Sequence, residues 1–178
     1  MKRVIAAVVS VGFLVVLFAV LVSCRGQEPE PNGLDLLRKP FSCEMRFSVA
    51  QREFTALFTK YSSDNLLLEM QTPESVEGLG FGYTPEEVSV SLKGVKLSLA
   101  LDQFPMSSVG NILFSLYNES GGEDLQVTRQ GDELLLTQPV FSDTAVIVFD
   151  AQTLVPKRMY TEKSGLSIDY SNYVLLDA

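Results

Sequence analysis

The sequence predicts an α+β domain, a strongly curved antiparallel sheet with a helix packed on one face. Three observations carry this. Apolar and polar residues alternate along most of the chain after residue 40, the pattern of half-buried strands. The stretches between them are short and turn-like, which makes sequential strands antiparallel neighbours. One segment, after Pro105, changes to a helical period. Short-turned strands with one helix to cover them make a sheet-plus-helix layer.

The elements follow in order. Residues 34 to 39, LDLLRK, suit a short helical turn before Pro40. In CEMRFSV, Met45, Phe47 and Val49 face opposite to Glu44, Arg46 and Ser48. A turn near Ala50 to Arg52 leads to EFTALFTKY, where Phe54, Ala56 and Phe58 alternate. Asn65 to Gln71 forms a third strand, ended by Thr72-Pro73. Val88, Val90 and Leu92, the turn Lys93-Gly94, and Val95, Leu97, Leu99 and Leu101 make the clearest hairpin. A helix is expected over 107–119, capped by Ser107 or Ser108 and stopped by Gly121-Gly122. Its apolar stripe is Val109, Ile112, Leu113, Leu116 and Tyr117.

Strands resume at Leu125 to Thr128, turn at Gln130-Gly131-Asp132 and return over Glu133 to Gln138. Thr144 to Phe149 is apolar almost throughout, so both its faces are expected to be covered. Asp150 to Thr153 is a turn, and Lys157 to Glu162 with Gly165 to Tyr173 form the last pair. This makes nine or ten strands and one clear helix, with no internal repeat.

The N-terminus has a different organisation. Lys2 and Arg3 precede an apolar run from Val4 to Val22, interrupted by Ser10 and Gly12, as in an export signal. Leu21-Val22-Ser23-Cys24 resembles a bacterial lipobox, which implies a diacylglyceryl group on the Cys24 thiol and cleavage before it. The alternative is an uncleaved membrane helix, since the run has 19 residues and about 17–25 span a bilayer. Both tether the remainder outside the cytoplasm. Stable anchoring by lipid takes two acyl chains. Residues 25 to 33 offer almost nothing to bury and contain two prolines. They are expected to be an extended tether of roughly 30 Å. The expected organisation is a signal over 1–23, a lipidated tether over 24–33 and one domain over 34–178.

Composition narrows the function. Without the signal, 12 basic residues stand against 22 acidic ones, net −10. That argues against nucleic acid and against electrostatic attraction to anionic headgroups. With Cys24 acylated, Cys43 has no partner for an internal disulfide and is expected to be inert packing. The chain has no histidine, the commonest general base and zinc nitrogen ligand. Gly78, Gly80 and Gly82 alternate without the helix that a phosphate loop needs. Glu86-Glu87 and Glu123-Asp124 fit solvated turns better than a metal or acid/base pair. No catalytic residue, metal site or cofactor is expected. The apolar excess has two readings: a filled core, or a curved sheet with a greasy pocket that one helix does not fill.

The run VIVFDAQTLVPKRMYTEKSGLSIDYSNYVLL resembles the closing strands of the LolA/LolB lipoprotein-carrier fold. A strand ends in Asp150, a turn precedes Pro156, Gly165 turns into the last strand, and Tyr170-Ser171-Asn172 closes it. The middle of the chain is similar too, so the resemblance covers residues 40 to 176. It also resembles lipid-anchored proteins of that fold in spore-forming Gram-positive bacteria, some of which hold a cell-wall hydrolase in germination. The resemblance implies an unclosed antiparallel half-barrel with a helical lid over an apolar cavity. Members bind acyl chains or a protein partner. Where carriers often have an aspartate-glycine-aromatic stretch, Gly80-Phe81-Gly82-Tyr83 stands instead.

The expected function is non-enzymatic binding by an anchored envelope lipoprotein. It holds a lipid or other hydrophobic ligand, or alternatively supports a protein partner such as a cell-wall hydrolase. Cys24 is the expected lipidation site. Met45, Phe47, Phe54, Phe58, Leu97, Leu99, Ile112, Leu113 and Leu116 are the expected cavity lining, subject to a register slip that would invert the set. Arg25 is not the aspartate that retains lipoproteins at the inner membrane, so with two membranes the outer one is expected.

Overall fold

The computed structural model of the chain describes residues 38–49, 51–105, 108–118 and 125–176. The signal, Cys24, the tether, most of the 34–39 turn, the Gly121-Gly122 stop and Glu123-Asp124 lie outside these residues. Eleven strands are described: β1 (Phe41–Val49), β2 (Arg52–Ser62), β3 (Asn65–Thr72), β4 (Gly80–Tyr83), β5 (Glu87–Leu92), β6 (Val95–Ala100), β7 (Gln126–Gln130), β8 (Glu133–Val140), β9 (Asp143–Asp150), β10 (Pro156–Thr161) and β11 (Ser167–Leu175). The helix α1 spans Val109–Tyr117, and 3-10 turns lie at Glu74–Val76 and Leu101–Gln103. Among the described residues no helix is long and apolar enough to cross a membrane.

All strands join one sheet in the order β6-β5-β4-β3-β2-β1-β11-β10-β9-β8-β7. The pairs are antiparallel throughout. The chain meanders outward from β1 to the edge strand β6. It then crosses by way of α1 to the other edge, β7, and meanders back until β11 pairs with β1. The sheet is therefore unclosed, and the segment between its edges carries the helix.

That crossing reveals the bend. The α1 backbone comes within 8 Å of both β4 and β8, which lie seven strand steps apart. Seven steps at about 4.8 Å span roughly 34 Å in a flat sheet, whereas nine residues make a helix only about 14 Å long. The sheet must curl round the helix to touch it from both arms. The core lies inside this curl, with Phe41, Phe58 and Tyr117 packing their rings 5.5 to 5.7 Å apart. Lys60 is buried on β2, its Nζ donating to Arg38 O at 3.1 Å.

Three features differ from expectation. The first is β4, an eleventh strand that sequence reading leaves in a loop. Its Phe81 and Tyr83 alternate with Gly80 and Gly82, whose absent side chains admit the β5 serines: a Cβ at either glycine would lie 2.7 Å from the Oγ of Ser91 or Ser89. The second is the length of α1, two residues shorter at each end than expected; Ser108 is the cap, its Oγ accepting from Asn111 N at 3.2 Å. The third is that α1 is buried well beyond its stripe, since Asn111 and Phe114 are buried too. The apolar strand β9 is buried on both faces over Ala145–Phe149, as expected.

Two aspartates tie turns together. Asp143 accepts from the backbone N–H of Thr144, Lys163 and Ser164 at 2.7 to 2.9 Å, joining the β8–β9 and β10–β11 turns. Desolvation pushes its carboxyl up, but the Ser164 and Lys163 amides, the Ser164 hydroxyl and the Thr144 amide outweigh this and hold it well below the usual carboxylate range. Asp150 is held low by the Thr153 amide, Lys157, the Gln152 amide and the Thr153 hydroxyl.

A carboxyl depressed in the folded state contributes stability that is present above its unfolded pKa and lost as pH falls. Thermal melts should therefore show a loss of stability below about pH 4. Asp143→Asn should melt lower at pH 7 and show a flatter acid limb; an unchanged acid limb would contradict this role.

Candidate functional site

Cross-strand pairing builds the concave face in rows. One row reads Cys43, Phe58, Leu68, Phe81, Val90 and Leu97, across β1 to β6. Burial falls along it: Cys43 is 1% exposed, Leu68 5%, Phe81 half-buried and Leu97 57%. The core face therefore continues past the cover that α1 supplies.

Where the cover ends, an apolar groove of about 220 Å³ opens. The sheet contributes Phe47, Val49, Phe54, Leu68, Met70, Phe81 and Tyr83; the crossing segment contributes Phe104, Ser108, Val109 and Gly110. Phe47 and Phe54 are directly opposed on β1 and β2, with rings stacked at 5.7 Å. Tyr83 lies nearly parallel to Phe114 at 6.0 Å and edge-on to Phe104 at 6.2 Å. It also occupies the space over Gly110, where a Cβ would collide with its ring and Oη. Burial pushes the Tyr83 phenol up to about 12, against a hydrogen bond with Ser108 that draws it down. Gly110 thus lets the helix start dock on β4.

The nine expected lining residues separate by their distance from the helix. Phe47 and Phe54 line the groove. Met45, Phe58, Leu113 and Leu116 are core, between 0 and 1% exposed, packed where a cavity was expected. Ile112 borders another concavity, of about 390 Å³, with Val140, Phe141, Ser142, Asp143, Thr161 and Ser164. Leu99 is half-buried on β6, and Leu97 stands exposed on that edge strand instead of lining a cavity. Its facing was read correctly, but among the described residues no helix covers it. Sequence reading missed Leu68, Met70, Phe81, Tyr83 and Phe104. The aromatics alternating with Gly80 and Gly82 were the available signal for two of them.

A third concavity, of about 650 Å³, lies against the opposite face of α1. Asn111, Phe114, Ser115 and Asn118 line it from the helix, at spacings that share one face. Pro85, Glu86, Ala100, Leu101 and Asp102 form one wall and Phe141 stands at the other side. The Leu101 N–H donates to Glu86 O at 3.2 Å, which holds Glu86 beside Asp102. Asn111 is 4% exposed. Its Nδ2 donates to Pro105 O at 3.0 Å and Phe104 O at 3.4 Å, which fixes the amide orientation, while Oδ1 has no hydrogen-bond partner. A buried acceptor left so costs about 1–3 kcal/mol.

Reactive chemistry is sparse. Among the described residues no three His, Cys, Asp or Glu side chains gather where they could hold a metal ion. Burial pushes the Cys43 thiol up to about 12. Tyr117 and Tyr170 are buried, with Tyr117 Oη donating to Tyr170 Oη at 3.2 Å; burial, then the facing Tyr170, raises the Tyr117 phenol.

No protein-family model and no curated protein matches this chain. Solved structures do resemble it. An uncharacterized conserved protein from Thermus thermophilus aligns with a TM-score of 0.53 at 13% identity, covering 83% of this chain and 85% of its own. A LolA superfamily protein from Nitrosomonas europaea aligns at 0.47 and 15% identity, covering 82% and 91%. A structure of the CwlD amidase from Clostridioides difficile in complex with the GerS lipoprotein contains a match at 0.49 and 19% identity, covering 74% and 84%. The first likeness shows a shared fold. The other two lie below a TM-score of 0.5 and bear on neither ligand nor partner.

Two outcomes follow. Gly110→Ala should lower the denaturation midpoint by the equivalent of about 1–3 kcal/mol, since Tyr83 must leave its place; wild-type stability would contradict that packing. With Cys24 acylated or replaced, Cys43 should resist a thiol reagent at pH 8 in the native chain and react once urea unfolds it.

Proposed function

We propose that this chain is an anchored, extracytoplasmic binding protein that holds an acyl chain or similar apolar ligand and performs no catalysis. The groove between β1–β4 and the start of α1 is the single observation that carries the reading. Phe47, Phe54, Phe81 and Phe104 offer an apolar, aromatic surface there. At about 220 Å³ it is smaller than a drug-sized pocket of about 300–1,000 Å³. It therefore suits part of one tail, with the remainder lying along the half-buried Val90 and exposed Leu97. Anchoring through Cys24, as the lipobox resemblance implies, keeps such a site near the membrane surface.

A second reading is support of an envelope protein partner. It is favoured by β6, which is an edge strand of the sheet among the described residues. Val95 and Leu97 on it are 72% and 57% exposed. Such an edge is a template for pairing with another chain.

Native mass spectrometry of residues 25 to 178, purified without detergent, tests the first reading. A lipid-range adduct should accompany the folded protein and vanish on denaturation. Phe54→Asp should abolish it while leaving the circular dichroism spectrum unchanged. A bare protein mass would sink the acyl-chain reading. Photocrosslinking from position 97 in cells should then recover one reproducible protein partner if the second reading holds.

A further inference from the structure

The concavity on the outer face of α1 differs in chemistry from the groove. Its described lining holds two carboxylates, Glu86 and Asp102, and no cation. Leu101, Phe114 and Phe141 supply apolar walls. Phe141 is 49% exposed in the two-residue β8–β9 turn at a φ of 55°, a conformation that favours glycine or asparagine. At the base of the site, Asn111 keeps a carbonyl oxygen that lacks a donor. Its amide cannot turn round to mend this, because Nδ2 is engaged with Pro105 O and Phe104 O.

Glu86, Asp102 and the Asn111 carbonyl ask for the same complement. An orphaned acceptor needs an N–H or O–H donor. Two carboxylates favour positive charge over negative. The aromatic walls favour a flat or greasy body, and a ring face also attracts an ammonium. Phosphate, carboxylate and acyl-chain ligands lack these features. We infer that this concavity is a second binding site, for a small molecule that carries a primary ammonium group on an apolar body. The ammonium lies between Glu86, Asp102 and Asn111, and the body rests between Phe114 and Phe141.

The chain has no tryptophan, so Phe141→Trp installs a single fluorescent reporter at the rim while keeping an aromatic wall. The full-length reporter chain in zwitterionic lipid nanodiscs is titrated with 2-phenylethylammonium, 3-phenylpropanoate and 2-phenylethanol. Empty nanodiscs serve as the blank. A saturable fluorescence change is expected for the ammonium, at least tenfold weaker for the other two, and weakened further by salt. Glu86→Gln with Asp102→Asn, both at exposed positions, should weaken ammonium binding at least tenfold. Asn111→Leu should do so as well, and if that variant does not fold the carboxylate pair still decides. Absence of a saturable change, equal responses to the three compounds, or indifference to the carboxylate pair would each overturn the assignment. So would a response confined to a second reporter, Phe81→Trp in the groove.

Discussion

The constraint on which this structure depends is the crossing between the two edges of the sheet. The chain reaches β6 at one edge and must begin again at β7 on the other. The connecting segment can make that passage only over a face. A nine-residue helix touching both β4 and β8 cannot do so on a flat sheet, so the sheet curls and the helix becomes the centre of the core. This explains why α1 is buried beyond its apolar stripe. It also explains why β1 and β11, the first and last strands, end as neighbours in the middle.

The same constraint places the open surfaces. A short helix covers a limited part of a long concave face. The cross-strand row that begins dry at β1 and β2 therefore reaches solvent at β6, as Cys43 and Leu97 show at its two ends. The groove opens where the cover stops, with Tyr83 on Gly110 marking the boundary. The turns at the far side are fastened differently. Asp143 gathers three amides from two turns, so that arm is held by charge-assisted hydrogen bonds as well as by packing.

The groove and the outer concavity differ because they have different neighbours. The groove lies between the sheet and the crossing segment and inherits the apolar side of both. The outer concavity has the polar side of α1 as its base and the Glu86 and Asp102 carboxylates in its wall. Asn111 illustrates the consequence: one amide end is used to hold the preceding loop, and the other is left facing a demand the fold does not meet.

Local periodicity determined a good deal. Alternation at Met45, Phe47, Phe54 and Phe58 correctly set the facing of β1 and β2, and Ser108 was legible as one of two candidate caps, because pleat and capping act within a few residues. The strand β4 was hidden, since glycines at 80 and 82 have no side chains to register alternation and make sense only beside Ser89 and Ser91 of the next strand. Phe58 and Leu97 have the same local pattern, yet one is core and the other solvent-exposed. Their difference is distance from α1, which strand order decides and no local window contains. Asn111 likewise reads as a polar helix position. Its burial depends on Phe104 and Pro105 before it and on walls brought from β5, β6 and the β8–β9 turn. The sequence by itself determined which side chains share a face; only the tertiary structure decided which of them are covered, because cover depends on how far a short helix reaches across a curled sheet.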